Sequence, residues 1–416
     1  MFQAIANMKS KGISVSIALS GSSVLVHNDS SVNTDGVRRL ASNRVISISN
    51  RGSTAMKVCM VQESSGTLSQ VGSALSLSGA TNLDSYTRRM GLAVDLDYNI
   101  AMVAGSGRSS SGANDDTIVA WVVNDSSGPN ELDALGYYNP TGDTNDVIRA
   151  SECVFLSNDG TYSYFACIYL YLDNSDSSNL KLGATALRYN RGTTTIDARS
   201  TYTSTTLGAS VASSELMKIG ASTVASNVAM INLQGGNYYK LTYNVGSNFW
   251  SETTGSGFNN DGCVTAISRK ESILNTFGVA VLAHDGGDGT SPNSHEIEFA
   301  NESGVVGDNW VVGTNVTTDQ ADLIVFGSVC LGLLPDGTTK CIVGYYRENS
   351  SNDIVLYVRE MTGDSTFGNA SEINLSEVFG ALDGEVAQLS NDYWVWMGRD
   401  EAFGDTYAYL ISVTIN

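Results

Sequence analysis

The sequence predicts an all-β chain built from repeated four-stranded antiparallel units, and three observations predict it. The first is composition: 416 residues carry 42 Gly but only 4 Pro, and charged residues are 16% of the total. The average soluble domain carries roughly 25%. The balance is Ser, Thr, Asn and Gly, residues of turns and polar strand faces rather than of helix surfaces. The second is a period-two alternation of apolar residues in short segments, the mark of strands. The third is a hairpin that recurs along the chain.

These features exclude several classes. Helical bundles, coiled coils and ordinary doubly wound enzymes do not have this composition. With 23 basic against 43 acidic residues, a formal charge of −20, the chain lacks the clustered Lys and Arg that phosphate recognition needs. No nucleic-acid partner is expected. The longest apolar stretch, Leu323 to Leu334, falls far short of the roughly 20 residues of a membrane helix, so no membrane insertion is expected and the chain reads as soluble. Near the N-terminus, Lys9 and Lys11 precede Ile13 to Leu19, loosely like a signal peptide. Ser14 and Ser16 interrupt that apolar run, and the alternation is read as a strand.

The repeat carries the architecture. Asn43 to Gln62 (NRVISISNRGSTAMKVCMVQ) aligns without a gap on Ser151 to Leu170 (SECVFLSNDGTYSYFACIYL). Ser49 falls on Ser157, Asn50 on Asn158, Gly52 on Gly160 and Cys59 on Cys167. Each copy reads as strand, tight Asn/Gly turn, strand. Ser328 to Tyr346 and Val386 to Met397 repeat the unit. Looser copies run from Leu92 to Ala104, Lys218 to Leu233 and Cys263 to Ala283. A third alternating segment follows each hairpin, as in Thr117 to Val123, Tyr238 to Val245, Ile354 to Arg359 and Thr406 to Thr414. A weaker fourth, such as Val71 to Leu77, usually comes next. Gly160 is expected to need a positive φ, so that Gly160→Val damages its hairpin.

About seven such units, spaced by roughly 45 to 70 residues, resemble the blades of a β-propeller. The resemblance covers nearly the whole chain and is generic, with no Trp-Asp signature, kelch di-glycine or regular Asp box. It implies seven four-stranded antiparallel blades in one domain over residues 1–416, with a closing strand in 12–28 and successive blades over 37–416. The last unit stops at its third strand, and the SIALSG at Ser16 resembles the fourth-strand SALSLSG at Ser73. The N-terminal strand is therefore expected to complete the last blade and remove the free edges.

Chemistry is sparsely signalled. Cys153 and Cys167 flank Gly160 and are expected to be cross-strand neighbours, with Cys330 and Cys341 similarly placed around Asp336. They are read as buried thiols packing as small hydrophobes, with a cross-strand disulfide as the alternative. Among 6 Cys and 3 His no zinc spacing occurs, so no metal or cofactor is expected. His284 and His295 bracket a loop with Asp285, Asp288 and Glu296 that is read as a solvated hairpin, as are Asp115-Asp116, Asp143 to Asp146 and Asp173 to Asn179. His27 stands apart. Gly105 to Gly112 fails both the G-x-S-x-G and P-loop patterns and is read as a hairpin tip. Asp95, Glu152 and Glu385 fall near inner ends of first strands, where propeller glycosidases place carboxylates. Polar residues facing a wet channel explain them equally, and no enzyme activity is expected. Tyr137-Tyr138, Tyr238-Tyr239, Tyr345-Tyr346, Trp394 and Trp396 are expected to alternate between core and contact positions. The sequons at Asn28, Asn124, Asn301, Asn315, Asn349, Asn369 and Asn374 are expected by chance in a chain of this composition.

By composition the chain resembles phage appendage proteins. The expected function is that of a virion structural protein, a tail, spike or fibre component presenting loops for host attachment. Its partners would be other virion proteins and a host glycan or surface receptor. It would be made in the host cytoplasm and assembled into the virion. The alternative is a secreted or cell-surface carbohydrate-binding protein or glycosidase.

Overall fold

A computed structural model describes residues 14–27, 33–50, 56–77, 90–107, 117–142, 147–172, 180–204, 220–232, 237–256, 264–267, 279–285, 295–301, 304–305, 310–313, 318–319, 324–325, 327–347, 353–363, 366–375, 384–399 and 405–416. Among them there is no helix, and hence none long and apolar enough to cross a membrane. Seven antiparallel sheets of four or five strands follow one another along the chain.

Blade 1 comprises Asn33–Ala41, Arg44–Asn50, Lys57–Ser64 and Thr67–Gln70, with Leu75–Ser76 also on its third strand. Blade 2 comprises Gly91–Asp95, Ile100–Gly107, Thr117–Asp125 and Pro129–Tyr138. Blade 3 comprises Val147–Asn158, Tyr162–Leu172, Leu180–Asn190 and Thr195–Thr203. Blade 4 comprises Gly220–Ala225, Val228–Asn232, Asn237–Asn244 and Phe249–Ser256. Blade 5 comprises Val264–Ile267, Val279–Asp285, His295–Asn301 and Gly304–Val305, with Trp310–Gly313 also on its third strand. Blade 6 comprises Gly327–Leu333, Lys340–Arg347, Ile354–Gly363 and Thr366–Leu375. Blade 7 takes Gly384–Gln388, Tyr393–Arg399 and Thr406–Ile415 from the C-terminus, then Val15–Leu19 and Val24–His27 from the N-terminus.

Two features make this a closed propeller. The first strand of every blade lies beside the first strands of the blades before and after it, including blade 7 beside blade 1. Blade 7 is completed across the chain ends, with Val15 opposite Ile415, Ile17 opposite Val413 and Leu19 opposite Ile411. The expected closing strand is therefore present.

Packing follows from strand periodicity. In Tyr162–Leu172 the even residues Tyr164, Ala166, Ile168 and Leu170 pack toward blade 4. The odd residues Phe165, Cys167, Tyr169 and Tyr171 pack toward blade 2. A strand apolar on both faces reads as a continuous hydrophobic run, and each such sheet is sandwiched between two others. Equivalent cores join blades 1 and 2, 6 and 7, and 7 and 1. A buried leucine or valine in these layers contributes about 1.5–3 kcal/mol over its exposed state.

The structure corrects the phase of one repeat. Asn43 to Gln62 spans the second and third strands of blade 1, whereas Ser151 to Leu170 spans the first and second of blade 3. All hairpins of a meander share the strand–turn–strand pattern, so similarity alone cannot assign phase. Cys59 accordingly lies opposite Ser47.

The turn at Gly160 is also corrected. Gly160 is not among the glycines with positive φ, and a Cβ on it would meet nothing within 4 Å. Asp159 shapes the turn instead: its Oδ1 accepts the N–H groups of Thr161 (2.7 Å) and Tyr162 (2.6 Å). The matching turn of blade 6 uses Asp336 in the same way, toward Thr338 (2.9 Å) and Thr339 (2.8 Å). There Gly337 does adopt a φ of +69°. At Gly91 the constraint is proximity, because a Cβ would collide with the backbone nitrogen of Cys153 on the next blade's first strand. Gly160→Val is therefore expected to change unfolding free energy by no more than ~0.5 kcal/mol. Gly337→Val should cost about 1–2 kcal/mol through its left-handed backbone. Urea unfolding of both variants measures the contrast, and equal losses would refute this account of the turns.

Candidate functional site

Antiparallel connectivity gives the ring two unlike ends. First-to-second and third-to-fourth turns fall at one end, and second-to-third connections and blade-to-blade crossovers fall at the other. The first end carries short turns such as Ser42–Asn43, Ser65–Gly66, Ser126–Gly128 and Ser226–Asn227. The second is reached by longer, polar, mostly acidic stretches: RSSSGANDD over 108–116, DNSDSSN over 173–179, GGDGTSPNS over 286–294 and DEAFGD over 400–405. The expected loops at Asp115-Asp116, Asp143 to Asp146 and Asp173 to Asn179 lie outside the described residues, as does the 108–112 part of the Gly105 to Gly112 tip. The strand ends that they join all lie at this second end.

The three first-strand carboxylates lie on three different blades. Asp95 ends its strand at the short-turn end, whereas Glu385 is the second residue of its strand at the opposite end. Glu385 Oε2 accepts the Val37 N–H at 2.9 Å and also binds Arg38 Nη1, tying blade 7 to the inner strand of blade 1. Glu152 Oε1 accepts the adjacent Cys153 N–H at 3.0 Å. The same task falls to Ser328 Oγ, which accepts the Val386 N–H at 3.2 Å, and to Gln388 Oε1, which accepts the Leu333 N–H at 3.2 Å. These oxygens satisfy first-strand amides that would otherwise be buried without partners.

Asp95 is fully buried between blades 2 and 3. It accepts Ser163 Oγ–H at 2.5 Å, Asn158 Nδ2–H at 2.8 Å and the Asp97 N–H at 3.2 Å, with Arg191 Nη1 at 3.9 Å. Burial raises its carboxyl pKa, and the hydrogen bonds from Ser163, Asn158 and Asp97 offset only part of that rise. Arg191 also bonds Ser163 Oγ at 2.7 Å and stacks on the exposed Tyr98 ring, 3.5 Å from its centroid. Sequence reasoning picked out Asp95 but missed Arg191, Ser163 and Asn158. Arginines at Arg38 and Arg191 in a chain this poor in basic residues were the available signal.

Cys153 and Cys167 are direct cross-strand partners, both buried as thiols. Cys330 lies opposite Val343 and Cys341 opposite Gly332, so this second couple is two residues out of register, contrary to expectation. Burial pushes the Cys59 thiol up to about 12, leaving it an inert apolar filler. Among the described residues no group of three or more His, Cys, Asp or Glu could hold a metal ion. His284 lies opposite Glu296 and Asp285 opposite His295 in the backbone register, while Asp288 lies outside the described residues. His27 ends the second N-terminal strand.

The aromatics are more buried than alternation implies. Trp394, Trp396, Tyr345 and Tyr346 are all buried, and both faces of blade 7 are covered by neighbouring blades. Tyr239 is partly buried. Tyr138 donates to or accepts from Thr201 at 3.4 Å on blade 3. Tyr137 is 40% exposed, one residue from the strand end at the long-connection end. Tyr98 and Phe249, exposed at the short-turn end, were not anticipated.

No protein-family model and no curated protein matches the sequence. Among solved structures, the Saccharomyces cerevisiae core factor is similar at 9% identity and a TM-score of 0.49, over 97% of this chain and 61% of that one. This chain thus spans less than two thirds of the core factor chain. The N-terminal domain of Nup159 is similar at 8% identity and a TM-score of 0.42, over 96% of each chain. AofleA from Arthrobotrys oligospora is similar at 11% identity and a TM-score of 0.41, over 87% of this chain and 92% of that one. Such distant likeness transfers no function, and the propeller assignment rests on the sheet topology and ring closure.

A raised folded-state pKa means that Asp95 favours folding below its unfolded value and that this contribution is lost as pH rises through the folded value. Asp95→Asn removes the titration. Its stability relative to the parent should therefore increase as pH rises from about 4 toward neutrality. Urea unfolding of both proteins across that range reads the slope, and a relative decrease would mean that Arg191 and its neighbours hold the carboxylate charged.

Proposed function

We propose that this propeller is a phage or virus appendage protein, a tail, spike or fibre component that contacts the host surface through its long-connection end. The observation that carries the reading is the asymmetry of the ring. Every second-to-third connection and every crossover reaches one end, above sheets that are apolar on both faces. Binding residues are commonly carried on loops positioned by a rigid scaffold. Composition supports the viral context: Ser, Thr, Asn and Gly dominate, and the charge of −20 disfavours nucleic acid and anionic membranes as partners. The reading assigns no catalytic role, since Asp95, Glu152 and Glu385 are each engaged with backbone amides. Its partners are other virion proteins and a host glycan or surface receptor. Weak contacts multiplied by copy number on a particle give avidity.

A second reading, a secreted or cell-surface carbohydrate binder, draws on Tyr137. Its exposed ring near the long-connection end is suited to stacking on a sugar. Immunogold electron microscopy on the native source, with antibody raised to the recombinant chain, separates the two. Gold on tails, fibres or vertices of virus particles is the expected result. Gold on cell envelopes with bare particles would refute the appendage reading and favour the second.

A further inference from the structure

Blade 3 sets two reactive groups face to face in its core. Cys153 on the first strand and Cys167 on the second are directly opposite each other. Both belong to the core shared with blade 2, so their side chains leave the sheet on the same face. Opposed residues of an antiparallel ladder alternate between two kinds of pair. One kind exchanges backbone hydrogen bonds, and in the other the N–H and C=O groups point away. The Cys153 N–H donates to Glu152 Oε1 at 3.0 Å, and the Phe155 carbonyl, two residues on, accepts Thr223 Oγ1–H from blade 4. Backbone groups two residues apart on a strand point the same way, so those of Cys153 point away from the second strand.

Cys153 and Cys167 are therefore a non-hydrogen-bonded pair. Such pairs bring their α-carbons to about 4.5 Å, with the side chains at their closest. A disulfide spans roughly 4.4–6.8 Å between α-carbons. Cys330 and Cys341 lack this geometry. They are diagonal, opposite Val343 and Gly332, and a diagonal of roughly 7–8 Å is bridged only if the backbone moves. Cys59 faces Ser47.

Access decides when a bond between the two thiols can form. Both are fully buried. Burial, reinforced by the Glu152 charge, raises the Cys167 pKa, and the thiolate is the species that attacks a disulfide. The folded ring thus keeps the pair inert, and reaction is confined to folding or to opening of the hairpin.

We infer that Cys153 and Cys167 are a latent cross-strand disulfide, closed when the chain folds or opens against an oxidising disulfide and kept as thiols in a reducing compartment. With oxidised glutathione as co-reactant, one cysteine thiolate attacks a glutathione sulfur, breaks its S–S bond and releases one reduced glutathione. The second cysteine thiolate then attacks the first cysteine's sulfur in the mixed disulfide and releases the other. Both cysteines are oxidised, glutathione is reduced, and the two thiol protons end on the two glutathione thiols. The new bond staples the two inner strands of blade 3, against which blades 2 and 4 both pack. This holds whether or not the ring belongs to a virion.

The full chain tests it, unfolded in urea and refolded either with oxidised and reduced glutathione or with excess dithiothreitol. Alkylation with iodoacetamide in denaturant and tryptic digestion follow. Residues 150–181 contain both cysteines and no internal Lys or Arg, so one peptide reports the pair. After oxidative refolding that peptide should carry no alkyl group and be lighter than the dithiol by two hydrogens. The peptides holding Cys59, Cys330 and Cys341 should be alkylated. The oxidised protein should melt about 2–6 °C above the reduced protein. That difference should vanish in Cys153→Ser and persist in Cys330→Ser. An oxidatively refolded chain that regains the native melting transition with Cys153 and Cys167 both alkylated would overturn the inference. A closed form that melts below the reduced one would also overturn it, because the bond would then distort the pair rather than fit it.

Discussion

A sheet that is apolar on both faces cannot stand at the end of a row. Val154, Leu156 and Ala166 on one side of blade 3, and Phe165, Tyr169 and Tyr171 on the other, each require a neighbouring sheet. Every blade with this property passes the requirement to the next, and only a closed ring satisfies it everywhere. The chain therefore has to return to its start. It does so when Val15 and Ile17 join the core shared by blades 6 and 7. Pairing of the N-terminal strand with Thr406–Ile415 supplies hydrogen bonds for an otherwise bare edge and binds the two chain ends together.

Closure also explains the polar residues inside the ring. First strands turn one edge toward the axis, and their amides need acceptors. Glu385, Glu152, Ser328 and Gln388 provide these, often from the adjacent blade. The Arg38–Glu385 pair crosses the seam between the last blade and the first. Arg38 is buried and Glu385 half-buried, so loss of the carboxylate leaves the guanidinium without this compensating charge in the seam. Asp95 and Glu385 thus act as brackets between blades, the first joining blade 2 to blade 3 and the second blade 7 to blade 1.

Much of the architecture is legible in the sequence because strand periodicity and turn chemistry are local. Tyr162 to Leu172 reads as a two-faced strand, and the Asp-Gly-Thr turns at Asp159 and Asp336 recur with the same spacing. The N-terminal closing strand is visible as a spare alternating segment matched by a missing fourth strand at the C-terminus. Phase was not legible at Asn43 to Gln62, since a second hairpin of a meander looks like a first. The backbone at Gly160 was not legible either, because the Asp159 side chain makes the turn without a left-handed residue. The Cys330–Cys341 offset arises because the blade 6 hairpin is centred between Asp336 and Gly337, whereas the two cysteines are centred between Pro335 and Asp336. Site chemistry was least legible. Asp95 is defined by Ser163 and Arg191, some 70 to 100 residues away in the chain, and only folding brings them together.

Native-state hydrogen exchange of the closing strand tests the central claim most directly. If the ring depends on closure, the paired amides of Val15–Leu19 exchange only with global unfolding, at the same opening free energy as the core amides of Tyr393–Arg399. Rapid local exchange of Val15–Leu19, with the remaining blades still protected, would show that the N-terminal strand is an accessory and that closure does not hold the ring together.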